Sequence, residues 1–185
     1  MPGVSCLWVT NGMNAKFKEF VEALEPKFQQ LVGMTSVKYG TLPPSLPKRA
    51  IYLFSENGEL LYVGRTNNLR NRLRGHCSSS RHFSAVFAFR IARQDTGFVK
   101  ASYKPEGSRA DLCKHRVFGP AFLEAKCRVA NMDIRYVEES DPVKQALLEI
   151  YVATVLRTRY NDFENQCYAT ANDRHAPDAP SACLL

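Results

Sequence analysis

The stretch AIYLFSENGELLYVGRTNNLRNRLRGH, residues 50–76, decides the reading of this chain. Two β-rich runs, AIYLF and ELLYVG, flank Glu56-Asn57-Gly58. A short polar turn ending in glycine between such runs specifies a β-hairpin, here read with a three-residue loop. In that register Ser55 faces Glu59 and Tyr52 faces Tyr62, so two phenols stand side by side on one sheet face. The segment NNLRNRLRGH that follows reads as a short helix capped by Asn67 or Asn68. Leu69 and Leu73 form its buried pair, Arg72 and His76 share another face one turn apart, and Gly75 suggests an end near that position.

Upstream, residues 14–31 place Phe17, Phe20, Val21, Leu24, Phe28 and Leu31 at helical spacing behind Asn14 as N-cap, with Pro26 able to split or kink the helix. Residues 40–48 hold three prolines and a glycine and read as an extended connector. Downstream, residues 83–95 suit a helix through Phe83, Val86, Phe87 and Ile91, stopped at Gly97. Residues 98–108 read as a loop, and residues 109–130 as helical material interrupted at Gly119-Pro120. Residues 132–138 alternate, with Met132, Ile134 and Tyr136 on one face of a third strand. Asp141-Pro142 opens a long helix running to about Arg157. Residues 166–185, rich in alanine, proline and small polar side chains, read as a disordered or loosely attached tail.

The chain has 185 residues, 45% of them hydrophobic, which suits one domain with additions and an ordinary core. Its net charge of +7 is compatible with a polyanionic partner such as nucleic acid or an acidic membrane surface. Six cysteines form no C-x-x-C pair, and Cys113 with His115 lacks a second pair to complete a zinc site. The N-terminal MPGVSCLWVT does not read as a signal peptide, and no apolar run is long enough to span a membrane. The cysteine near the C-terminus stands third from the end, outside a prenylation box. These features lead to the expectation of a soluble, cytoplasmic protein.

Three features carry chemistry. Residues 65–90 contain six arginines (Arg65, Arg70, Arg72, Arg74, Arg81, Arg90) and no Asp, Glu or Lys, a composition matched to phosphate oxygens. The tyrosine pair, taken by itself, reads more readily as half-buried packing with wet hydroxyls than as chemistry. Glu149 sits on a helical stripe with Gln145, Val152, Ala153 and Leu156, where a carboxylate is costly unless exposed, paired or bound to a metal.

In their order along the chain these features closely resemble the signature of the GIY-YIG nuclease superfamily. Ala50-Ile51-Tyr52 and Tyr62-Val63-Gly64 stand for the two tripeptides; Arg72 and His76 follow on the helix; Glu149 opens the run EIYVATVLRTRYN, which ends at Asn161. Ala50 replaces the first glycine, and the gap from His76 to Glu149 is longer than in the minimal domain. The resemblance covers residues 50–76 and 132–163. It implies an α+β fold with a small three-stranded antiparallel sheet flanked by helices, here with an N-terminal helix and a helical insertion. The domain would span residues 49–165, with the insertion at about 77–130, preceded by a helical extension and proline-rich connector at 1–48.

The resemblance also implies a mechanism of DNA phosphodiester hydrolysis. Glu149 would hold one Mg²⁺ or Mn²⁺ ion. Arg72, helped by Arg65 and with Arg70 as a further phosphate contact, would neutralise the phosphate. Tyr52 would act as general base, with the neighbouring cations favouring its phenolate and His76 relaying the proton. Tyr62 would position water or phosphate, and Gly64 and Asn161 would support the site. DNA is expected above RNA, no membrane is expected as partner, and the oligomeric state is left open. The alternatives are a catalytically silent nucleic-acid-binding module on the same fold and an adaptor whose arginines bind acidic protein; only phosphate contacts give a steep salt dependence of binding to nucleic acid.

Overall fold

The computed structural model describes residues 13–78, 84–98 and 107–161. The hairpin is formed by β2 (Ala50–Glu56) and β3 (Glu59–Thr66). β4 (Asp133–Glu138) pairs antiparallel with β2, and a two-residue strand β1 (Val37–Lys38) pairs with β4, giving the order β1-β4-β2-β3. The sheet thus has four strands where the sequence predicted three. The added strand is too short to show any alternation, and only its pairing of Val37 with Ile134 creates it.

The turn also differs from the expected one. Asn57 and Gly58 have φ of 51° and 84°, the positive pair of a two-residue hairpin turn, and Glu56 faces Glu59 across it. Such a turn alone would bring Tyr52 opposite Val63 and put Tyr62 on the other face of the sheet, since a one-residue slip inverts every side chain. The register shifts between Phe54 and Ser55, with Leu61 as the extra residue on β3. Tyr62 therefore faces Phe54, and Tyr52 faces Gly64 rather than Tyr62. The bulge returns both tyrosines to one face, as diagonal neighbours.

Each sheet face has its own core. Tyr52, Phe54, Tyr62 and Ile134 pack with α3 (Leu69–Cys77), α4 (Val86–Thr96) and α6 (Phe118–Ala130). Ile51, Leu53, Val63 and Val137 pack with α2 (Leu24–Gly33) and α7 (Pro142–Leu156). β2 is central and covered on both faces, which explains its unbroken apolar run.

The helices follow their local chemistry with one correction, the place of the interruption before α6. The predicted helix over residues 14–31 is two helices, α1 (Ala15–Glu22) and α2, broken at Ala23. Pro26 cannot donate a backbone hydrogen bond and its ring opposes the carbonyl four residues earlier, so it sits in the first turn of a new helix. The interruption within residues 109–130 lies not at Gly119-Pro120 but before it, between α5 (Arg109–Leu112) and α6. Gly119 is in the first turn of α6, where a Cβ would stand 2.7 Å from the Cys113 carbonyl oxygen. Asn68 caps α3, and Asp141 caps α7 by accepting from Val143 N and Lys144 N at 2.8 and 3.0 Å. Gly97 ends α4 in the left-handed conformation, as expected. Among the described residues no helix is long and apolar enough to cross a membrane. Arg81, Phe83, most of the predicted loop at 98–108 and the predicted tail lie outside the described residues.

The outer edge of β3 is closed by the segment after α7. Tyr160 N donates to Leu61 O at 3.0 Å. The Asn161 amide then imitates a strand: its Oδ1 accepts from Val63 N and its Nδ2 donates to Val63 O, both at 2.7 Å. Thr158 Oγ1 holds the same Oδ1 at 2.9 Å. Asn161→Ala strands both polar groups of Val63 in a part-buried place and is expected to cost about 2–3 kcal/mol, read as a lower urea midpoint.

Candidate active site

Tyr52 stands on the central strand, and its side chain is fully buried. Its hydroxyl accepts from Arg72 Nε at 2.9 Å and lies 3.0 Å from His76 Nε2. Arg72 and His76 are one turn apart on α3, so a single helix face presents both groups to one oxygen. The strand-to-helix connection holds this aim: Asn68 N donates to Thr66 Oγ1 at 3.0 Å and Leu69 N to Lys48 O at 3.0 Å. Gly64 faces Tyr52 across the hairpin, and a Cβ there would overlap the Tyr52 hydroxyl and come within 2.6 Å of Cζ. The glycine of the second tripeptide is thus the floor on which the phenol lies.

Tyr62 completes the aromatic wall. Its ring centroid is 6.3 Å from that of Tyr52 and 5.9 Å from that of His76. It stacks on Phe87 of α4 at 4.6 Å and 14°. Phe54 meets His76 edge-on at 5.5 Å, and the Arg90 guanidinium lies 5.9 Å from the Tyr62 ring centre. Phe87 and Phe54 are not singled out by the sequence as part of the site, and Arg90 is singled out only as one of six arginines. The signal available for Phe87 was its apolar helical spacing, which marks core residues generally.

Burial sets the protonation of the centre. It pushes the Tyr52 phenol well above its ordinary range, with the Tyr62 phenol adding to it, and Arg72 offsets only part of the effect. The expectation that neighbouring cations favour a phenolate is therefore corrected: desolvation wins, and the resting phenol is neutral. Burial, then the charge of Arg72, pushes the His76 imidazole down to about 3. For Arg72 burial works against the charge, but the attraction of Tyr52 and Tyr62 outweighs it, and its pKa is raised. His76 Nδ1 is buried without a hydrogen-bond partner. With Nδ1 protonated, Nε2 is free to accept the phenol proton.

His76 has a consequence for acid stability. A histidine buried neutral disfavours protonation in the folded state, so its contribution is complete above the unfolded pKa of 6.5 and is lost as pH falls toward about 3. Each pH unit in that window costs up to about 1.4 kcal/mol. Urea unfolding between pH 6.5 and 5, above the ordinary carboxylate range, should show falling stability in the native protein and a flatter line in His76→Asn.

Glu149 is delivered from the opposite face of the sheet by α7. Gln145, one turn earlier and buried, donates to Glu139 O at 2.7 Å and Thr66 O at 3.2 Å, fixing α7 against the ends of β3 and β4. Glu149 then meets Arg65 at the end of β3, with Nε to Oε2 at 3.0 Å. Desolvation raises the Glu149 pKa, while Arg65 and, more weakly, Arg72 oppose the rise. Arg72 is thus bonded to Tyr52 and within electrostatic reach of Glu149. Arg70 is not gathered here: its Nη2 donates to the Pro43 and Pro44 carbonyls and pins the connector.

Among the described residues no cluster of three or more His, Cys, Asp or Glu side chains is present. A lone carboxylate suits a small hard cation that keeps several waters and takes substrate phosphate oxygens as its other ligands. Glu149 fits that chemistry.

Packing needs alone do not ask for two polar groups sharing one buried oxygen, nor for a carboxylate kept within reach of Arg72 against its desolvation. It is a family match that makes this a nuclease-type domain, one whose family handles nucleic acid. Residues 49–161 match the family model described as the GIY-YIG catalytic domain, and the chain belongs to that family. No curated protein and no solved structure matches it.

Proposed function

We propose that the protein is a divalent-metal-dependent endonuclease that hydrolyses DNA phosphodiester bonds at the centre formed by Tyr52, Tyr62, Arg65, Arg72, His76 and Glu149. The observation that carries this reading is Arg72, tied by Nε to Tyr52 Oη and sensed by Glu149. Its side chain also bonds Tyr62, and a phosphate between the buried phenol and the carboxylate would take over from that contact. Glu149 would hold one Mg²⁺ or Mn²⁺ ion, which when bound supplies charge to polarise the phosphate and stabilise the leaving oxygen. Arg65, paired with Glu149 in the structure, would be free to meet a phosphate oxygen when Glu149 holds the ion.

Arg72 covers the Tyr52 hydroxyl. As its guanidinium turns to the phosphate, the hydroxyl opens to the attacking water. Tyr52 Oη takes the water's proton while its own passes to His76 Nε2. A charge on His76 beside Arg72 is costly in the resting centre. The negative charge that develops on the phosphate neutralises the field of Arg72 and removes much of that cost. Tyr62 lines the water's position. Asn161 and Gly64 keep the hairpin in place. The helices between α3 and β4 are read as the insertion and a source of substrate contacts.

Plasmid DNA is incubated with Mg²⁺, Mn²⁺ or EDTA, beside RNA of similar length. Metal-dependent nicking of DNA that Arg72→Ala abolishes supports the reading. Binding of DNA without cleavage under any metal supports the silent module, and retention of full cleavage by Arg72→Ala contradicts the mechanism.

A further inference from the structure

Beyond the centre, two cations gather where no carboxylate among the described residues pairs with them. Arg93, in the last turn of α4, and Arg109, at the start of α5, both lie over the ring of Phe89, at 5.2 and 5.3 Å from its centre. Phe89 is buried and wedged against Phe118 and Phe122 of α6. Among the described residues neither arginine forms an ion pair with a carboxylate. The nearby acids are otherwise engaged: Asp111 accepts from Gly107 N at 2.8 Å, and Asp95 acts on Arg128. Arg93 Nε is shielded from solvent and makes no hydrogen bond. Burial, and then the charge of Arg109, lowers the Arg93 pKa.

Two guanidiniums held against one ring, with no ion-pair partner among the described residues, repel each other in the bare protein. Aromatic contact holds the cations in place but leaves their charge unanswered. An anion between them relieves both the repulsion and the unpaired donors. Arginine, rather than lysine, suits bidentate contact with phosphate oxygens.

The placement fits a strand that leaves the reaction centre. Arg90 lies over Tyr62, and Arg93 follows on the same helix, about 4.5 Å further along and about 60° round the axis. Arg159, over the Tyr160 ring at 5.6 Å, adds a cation beside them.

We infer that Arg93 and Arg109, gathered over Phe89, form a second phosphate-binding site that grips the nucleic-acid backbone beside the reaction centre. This rests on the nuclease reading for its ligand but not on any step of the chemistry. Each of the two contacts releases counterions, so each contributes to the salt dependence of binding.

The test is the binding of a fluorescent duplex of about two helical turns to the full chain in EDTA, across a KCl series, for the native protein, Arg93→Gln/Arg109→Gln and Arg93→Lys/Arg109→Lys. The glutamine pair should bind about tenfold more weakly at moderate salt, and its log–log slope should be shallower by about 1.8. The lysine pair should recover most of the slope. An unchanged slope in the glutamine pair overturns the inference, as does a loss that the lysine pair shares, or a native protein that does not bind the duplex. Plasmid cleavage by the native protein, measured separately, reports on the nuclease reading. A protein that binds with these slopes yet fails to cleave keeps the site and removes that reading.

Discussion

Glu149→Gln is expected to slow metal-dependent cleavage by about 10²- to 10³-fold with little change in thermal stability. The side chain keeps its shape and its place above Gln145, so α7 stays anchored. What it loses is the negative charge. That charge is maintained at the site against desolvation, which raises its pKa, and with help from Arg65 and Arg72. The Arg65–Glu149 pair adds little to folding, because Arg65 is 50% exposed and exposed pairs contribute about 0–1 kcal/mol. Single-turnover relaxation of supercoiled plasmid, with a melt of the same sample, reads both quantities. A variant that cleaves at the native rate removes Glu149 from the metal site. A variant that melts far below the native protein makes it a structural residue.

Tyr52→Phe is the second large effect. It removes one oxygen and leaves the ring among Phe54, Tyr62 and His76. Arg72 Nε and His76 Nε2 both lose their partner at a single stroke. Cleavage should fall by about 10²- to 10⁴-fold, the range for a lost proton acceptor. Stability should fall by about 1–2 kcal/mol, since the imidazole is then unpaired at both nitrogens. His76→Asn should lose less activity and keep the Arg72–Tyr52 contact. If Tyr52→Phe retains more than about a tenth of native activity, the phenol is not on the proton path. Gly64 belongs to the same unit, because only its missing side chain leaves room for that phenol.

The sequence made the hairpin and α3 legible because their signals are local. An Asn-Gly turn, two β-rich runs and a capped helix with Leu69 and Leu73 at helical spacing need no distant partner. The candidate residues are legible only as an ordered set that resembles the family signature; singly Tyr52, Tyr62, Arg72 and His76 are ambiguous, though they lie within 25 residues of each other. What could not be read depends on contacts far along the chain. β1 exists only through its pairing with β4, about a hundred residues away. The bulge at Leu61 replaces the expected facing of Tyr52 and Tyr62, and turn chemistry does not announce it. Asn161 closes the edge of β3 from 98 positions away. Arg70 lay in an arginine-rich stretch that suggested phosphate, but the proline connector lies beside it and offers carbonyl oxygens first. The neutral state of Tyr52 was misjudged because burial, unlike a neighbouring cation, is not written in local sequence.

The proposed reaction requires Arg72 and Glu149 to act together from opposite faces of the sheet. A double-mutant cycle on single-turnover DNA cleavage, with Arg72→Ala, Glu149→Gln and both together, measures this directly. Groups acting as a unit give strongly non-additive losses, so the double variant should be about as slow as the slower single variant. Losses that multiply, or a single variant with native activity, would show that the two residues do not share a centre.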